Sequence, residues 1–129
     1  MPEAAKKIYL IEDDPAIIDI YETMMKKAHF NVETFSLGQE VLKKVRNIEA
    51  GEEVRPDLIL LDLILPDMNG LEILTQIRRT EATKDTRVFI LSNQADANME
   101  LGGVKPDKFI VKANVTPTQL LEIIQKELG

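Results

Sequence analysis

Four short apolar runs in this chain each end on residues suited to ionic or proton chemistry. Glu12 and Asp13 follow Ile8-Tyr9-Leu10-Ile11, Asp62 follows Leu58-Ile59-Leu60-Leu61, Ser92 follows Val88-Phe89-Ile90-Leu91, and Lys112 follows Phe109-Ile110-Val111. Carboxylates in close proximity repel, so ionising all of them is costly unless a cation is present. Oxygen ligands of this kind, with few protein contacts and room for water, suit Mg²⁺. Phosphoryl transfer needs an in-line nucleophile, a metal on the equatorial oxygens and further positive charge or donors. Asp62 can serve as the nucleophile, a metal can bridge it to Asp13, Lys112 can pair with a phosphoryl oxygen and Ser92 can donate a hydrogen bond. There is no glycine-rich phosphate loop and only one histidine, so a nucleotide-hydrolysing site or a histidine-based metal cage lacks support.

These side chains converge only if the runs before them are parallel strands, whose carboxyl ends gather at one edge of a sheet. Near-continuous apolar runs fit strands covered on both faces, as in parallel sheets. A fifth candidate, Val32-Glu33-Thr34-Phe35, is shorter and more polar and reads as an edge strand. Helical spacing takes over between the runs. Asp14 before Pro15 supplies an N-cap with proline at the first helical position, and Ile17, Ile20, Met24 and Ala28 form the stripe of a first helix. Val41, Leu42, Val45 and Ile48 follow Gly38 as a second stripe, and Leu71, Leu74 and Ile77 follow Gly70 as a third. Thr116-Pro117 opens a last helix through Leu120, Leu121, Ile124 and Leu128.

Strands and helices alternating with short connections imply right-handed crossovers and a doubly wound α/β sheet. Ligands bind such sheets outside the carboxyl ends of the strands. Asn47 to Asp57, with Glu49, Glu52 and Glu53, reads as a solvated connection on the opposite side. Between Leu91 and Phe109 only Asp96 to Leu101 can be helical before Gly102-Gly103, so the fourth helix is expected to be short. His29 falls near a helix end as a surface or capping residue, and Met24-Met25 as core filler.

At 129 residues the chain reads as one domain, with 44% hydrophobic and 29% charged residues near globular averages. A net charge of -6 argues against nonspecific nucleic-acid binding. No apolar stretch is long enough to cross a bilayer, and the N-terminus leads straight into a strand, so a cytoplasmic location is expected. The absence of cysteine fits a reducing compartment.

The motifs also resemble, in order and over nearly the whole length, the receiver domain of two-component response regulators, especially the stand-alone, chemotaxis-regulator kind. Ile8-Tyr9-Leu10-Ile11-Glu12-Asp13-Asp14 is similar to that family's first strand and acidic pair. Leu61-Asp62-Leu63-Ile64-Leu65-Pro66-Asp67-Met68-Asn69-Gly70 resembles its phosphoacceptor segment. Leu91-Ser92 resembles its switch hydroxyl position, and Phe109-Ile110-Val111-Lys112 its switch aromatic and lysine.

The resemblance implies a flavodoxin-like five-stranded parallel sheet of order 2-1-3-4-5 with helices on both faces, a receiver over residues 1–129 and no output domain. It implies that Asp62 accepts a phosphoryl group from a sensor histidine kinase or a phosphotransfer protein. Mg²⁺ would be held by Asp13, Asp62 and the backbone carbonyl of Ile64, with Glu12 acting through water and Asp14 left to helix capping. Ser92 and Lys112 would move toward the phosphoryl group and Phe109 would turn inward, changing a surface offered to a downstream protein. The only chemistry expected is the domain's own phosphorylation and dephosphorylation, with no direct contact to nucleic acid or membrane. Ile64 and Gln94 occupy positions that tune phosphoryl lifetime in this family. The chain departs from the family pattern at Ala113, where a cis-proline is common, and at Asn93, where a very small residue is usual. Those departures favour the alternative of a pseudo-receiver acting as a constitutive protein-interaction module. An aspartyl-nucleophile hydrolase is the other rival, weakened because Ile64 stands where its second acid would be.

Overall fold

In a computed structural model of the chain, which describes residues 5–93 and 104–129, the five apolar runs become five parallel strands. They are β1 (Lys7–Ile11), β2 (Asn31–Phe35), β3 (Leu58–Asp62), β4 (Arg87–Ser92) and β5 (Lys108–Val111), arranged β2-β1-β3-β4-β5. The polar β2 takes an edge, as its composition predicts. Register aligns the carboxyl ends: Ile11 pairs with both Phe35 and Leu61, Asp62 with Leu91, and Ser92 with Val111.

Alternation along the strands divides the apolar side chains between two cores. Tyr9, Ile11, Ile59, Leu61, Val88 and Ile90 face α2 (Gly38–Glu49) and α3 (Gly70–Arg79). Ile8, Leu10, Leu58, Leu60, Phe89 and Leu91 face α1 (Pro15–Lys27) and the C-terminal helix α4 (Pro117–Leu128). Every one of these strand residues is at most 1% exposed, which is why the runs carry no polar alternation.

The helices start where their capping chemistry directs. Asp14 accepts from the N–H groups of Ala16 and Ile17 at 2.9 and 3.4 Å, and Thr116 with Gln119 forms a reciprocal capping box at α4. α1 ends in a Schellman turn, with the Phe30 N–H on the Met25 carbonyl and His29 in the left-handed region at φ 70°. His29 is thus a termination residue. No helix among the described residues is long and apolar enough to cross a membrane.

Two expectations change and one open alternative closes. The buried stripe of α1 is Tyr21 and Met25, whereas Ile20 is 50% exposed; both stripes satisfy helical spacing, and the sheet takes the bulkier pair. Glu53 is no solvated loop residue, because its carboxylate lies 2.6 Å from Lys44 Nζ, which also reaches Glu33 at 3.0 Å. The peptide bond between Lys112 and Ala113 is trans, and the chain leaves β5 through a short 3-10 turn, Lys112–Asn114. The expected fourth helix, Asp96 to Leu101, and Gln94 lie outside the described residues.

Candidate functional site

Beyond the carboxyl ends of β1, β3, β4 and β5 lies a cavity of about 280 Å³. It is lined by Glu12, Asp13, Asp14, Ile17, Asp62, Ile64, Ser92, Asn93 and Lys112. Among the described residues, a larger cleft lies between α2 and α3 and another between β2 and α2, but neither gathers groups from the ends of several strands. All the residues singled out for metal and phosphoryl chemistry therefore meet in one place. Phe109 does not line the cavity; it is half-buried and packs with Val104 against the core beneath α2 and α3.

Each side chain is held by its strand end. Asp62 is the last residue of β3, its side chain 12% exposed. One oxygen, Oδ1, accepts the Ile64 N–H at 3.3 Å, and the other, Oδ2, lies 3.5 Å from Lys112 Nζ. Lys112, 8% exposed, makes its shorter contact to Glu12 Oε2 at 2.6 Å. Glu12 Oε1 accepts the Asp14 N–H at 3.2 Å, so both carboxylate oxygens of this buried residue are already engaged by the protein. Ser92 ends β4 and is buried.

Burial pushes the Glu12 carboxyl above its ordinary pKa and the Asp62 charge adds to this, while the hydrogen bond from Lys112 pulls the other way. For Lys112, burial works against the charged form. The hydrogen bond to Glu12 and the charges of Asp62 and Glu12 outweigh it and hold the ammonium above its ordinary value. Lys112 is accordingly a fixed cation pointed at Asp62.

A divalent cation fits this donor set. Glu12, Asp13 and Asp62 each offer a carboxylate oxygen, and those three atoms lie within 4.8 Å of one another. Hard oxygen donors with one exposed carboxylate, Asp13, and an open side for water match the needs of Mg²⁺.

Sequence reasoning did not reach the direct Lys112–Glu12 pair, since residues a hundred positions apart give no local sign of pairing. It also passed over Asp67, which sits outside the cavity but joins the loop after Asp62 to the N-terminus of α2, through the Gly38 and Gln39 N–H groups at 2.8 and 3.0 Å. A readable signal existed: α2 opens after Leu37, a residue with no side-chain acceptor, so some other group has to serve its first N–H groups.

Residues 8–125 match the family model described as the response regulator receiver domain. Among curated proteins, the cell cycle response regulator CtrA of Brucella ovis is 40% identical over 98 residues, covering 76% of this chain and 39% of that protein. The chain thus spans about two fifths of the length of the curated relatives it matches. Among solved structures, the phosphorylated cyanobacterial phytochrome response regulator RcpA is similar with 31% identity and a TM-score of 0.77, covering 95% of this chain and 91% of that one. The receiver domain of sensor histidine kinase PA1611 from Pseudomonas aeruginosa, with a magnesium ion in its active site cleft, is 25% identical with a TM-score of 0.77, covering 98% of this chain and 99% of that one.

Proposed function

Since the chain belongs to the response regulator receiver domain family of two-component systems, we propose that Asp62 is its phosphoacceptor. The observation that carries this reading is the placement of the Asp62 carboxylate, mostly buried at the end of β3, beside the Lys112 ammonium at 3.5 Å and the oxygens of Glu12 and Asp13. A carboxylate nucleophile needs a nearby cation to accept the charge of the incoming phosphoryl group, and a site otherwise acidic needs a metal before it admits one.

Asp62 Oδ2, or Oδ1 once freed from the Ile64 N–H, forms the new bond to phosphorus. The bond from phosphorus to the donor breaks as it forms, and the donor departs with the electron pair. The donor is the phosphohistidine of a sensor histidine kinase or of a phosphotransfer protein. Lys112, already within reach of Asp62, pairs with one phosphoryl oxygen, and the Ser92 hydroxyl donates to another. Asp13, Asp62 and the Ile64 carbonyl would hold Mg²⁺, with Glu12 acting through water because its own oxygens are engaged by Lys112 and Asp14. Bound there, the ion would offset negative charge on the phosphoryl oxygens.

The phosphorylated and unphosphorylated forms then differ in the stability of two packings. Drawing Ser92 and Lys112 toward the phosphoryl group pulls on the ends of β4 and β5, and Phe109, half-buried on β5, follows inward. The surface of β5 and α4 changes with it and is read by a downstream protein. The domain's own phosphorylation and dephosphorylation is the whole of its chemistry.

Incubating the protein with Mg²⁺ and acetyl phosphate or phosphoramidate tests the reading. One phosphoryl group should appear by intact mass, and it should be absent in Asp62→Ala and without the metal. Absence of an adduct under every condition would instead support a constitutive interaction module. Multiple turnover of an external phosphoester would support a hydrolase.

A further inference from the structure

The loop between β3 and α3, which carries Asp62 and Ile64, is fastened at its base, along its inner edge and at its tip. At the base the Gly70 N–H donates to the Leu63 carbonyl at 2.7 Å, and Ile64 forms an isolated antiparallel bridge with Asn69. Along the inner edge Leu63 and Leu65 are buried in the core under α2 and α3. At the tip the chain reaches across to another element. Asp67 Oδ1 accepts from the Gly38 N–H at 2.8 Å and Oδ2 from the Gln39 N–H at 3.0 Å. Met68 fills the space that a Cβ on Gly38 would need.

The first N–H groups of a helix have no intrahelical partner and are normally served by the N-cap side chain. Leu37 at the N-cap cannot serve them, and Glu40 takes only the Leu37 N–H at 3.1 Å. α2 is therefore capped from outside, by the loop that bears the phosphoacceptor. Accepting the Gln39 and Gly38 N–H groups holds the Asp67 carboxyl below its ordinary pKa, as expected for an anion at a helix N-terminus.

We propose that Asp67 is a positioning residue for the phosphoryl site: by clamping the loop tip to α2 it holds Asp62 and the Ile64 backbone in the arrangement that takes the metal. The inference rests on the phosphoacceptor reading above. Ile64 lies between the clamped tip and the end of β3, and its N–H already contacts Asp62 Oδ1. Releasing the tip leaves that stretch held only at the base and by the buried Leu63 and Leu65, so its carbonyl samples more orientations and metal binding has to select among them.

A residue that only stabilised α2 would be replaceable by any local cap, and a clamp would not. Leu37→Asp puts an acceptor at the N-cap itself without touching the loop. The experiment follows Mg²⁺ affinity by amide NMR and the thermal midpoint by circular dichroism in the wild type, Asp67→Ala, Asp67→Asn and Asp67→Ala/Leu37→Asp. Asp67→Ala should melt earlier and bind Mg²⁺ about tenfold more weakly, the low end of what losing an outer partner of a metal site costs. The double variant should recover the melting midpoint and stay weak for Mg²⁺. Asp67→Asn keeps one acceptor oxygen but turns an NH2 donor toward the other helix N–H, and should also bind more weakly than the wild type. The clamp is overturned by a double variant that regains Mg²⁺ affinity, or by Asp67→Ala or Asp67→Asn binding as the wild type does. A wild-type chain that takes neither Mg²⁺ nor a phosphoryl group overturns the phosphoacceptor reading, and the clamp with it.

Discussion

Ile64 places a side chain 66% exposed and wholly apolar at the mouth of a pocket lined mainly by polar groups. Loss of the phosphoryl group requires a water attacking in line with the Asp62 oxygen, and Ile64 has no atom to hold that water by hydrogen bonding. Asn at this position supplies both a donor and an acceptor. Ile64→Asn should therefore shorten the lifetime of the phosphorylated form, by up to about tenfold, the worth of one well-placed hydrogen bond in the transition state. Timing phosphate release from purified phosphoprotein in Mg²⁺ checks this; an unchanged or longer lifetime removes the argument. Exposure of the side chain makes the test clean, because the substitution neither opens a cavity nor buries a polar group.

Among the elements, the two glycines that begin α2 and α3 differ in what crowds them. A Cβ on Gly70 would strike the carbonyl oxygen of Asp62 and the Cα of Leu63, both backbone atoms, while one on Gly38 would meet side-chain atoms only, Cγ and Sδ of Met68 and Cδ1 of Ile73. Gly70→Ala should cost about 3 kcal/mol in urea unfolding and weaken Mg²⁺ binding, since the end of β3 that carries Asp62 has to move. Gly38→Ala should cost about 1 kcal/mol, because Met68 can change rotamer. The elements themselves were largely legible. Runs such as Leu58-Ile59-Leu60-Leu61 have no polar break because both faces are covered, and Asp14-Pro15 and Thr116-Pro117 announce their helices by capping chemistry. The face of α1 was misread because Ile20 and Tyr21 both fit helical spacing, and only the sheet decides between neighbours. The strand-end carboxylates, serine and lysine were legible because parallel strands gather their ends. The Lys112–Glu12 and Lys44–Glu53 pairs were not, since each depends on how separate elements pack, and for Asp67 only the need for an outside cap on α2 could be read, not which residue meets it.

At the scale of the whole molecule, one side chain joins three segments at the sheet edge opposite the pocket. Arg78, near the end of α3, donates to the carbonyls of Lys84, Thr86 and Lys105 and to Asp107 Oδ2, which in turn accepts the Val88 N–H. It thereby joins α3, the start of β4 and the approach to β5. Lysine carries the charge without the planar fork that reaches several acceptors together. Arg78→Lys should lose about 1–2 kcal/mol in urea unfolding, as the partly buried Thr86 carbonyl goes unserved; a change within experimental error would show that the hub is dispensable. The roots of β4 and β5 are thus pinned while their tips, Ser92 and Lys112, border the pocket. The pocket has a consequence for the molecule's electrophoretic behaviour. Glu12, Asp13, Asp14 and Asp62 against the Lys112 ammonium leave three formal negative charges uncompensated, a concentration of charge within a chain of formal net charge -6. One divalent ion bound there would remove two of the three, so loading with Mg²⁺ should slow migration toward the anode in a native gel run with the metal.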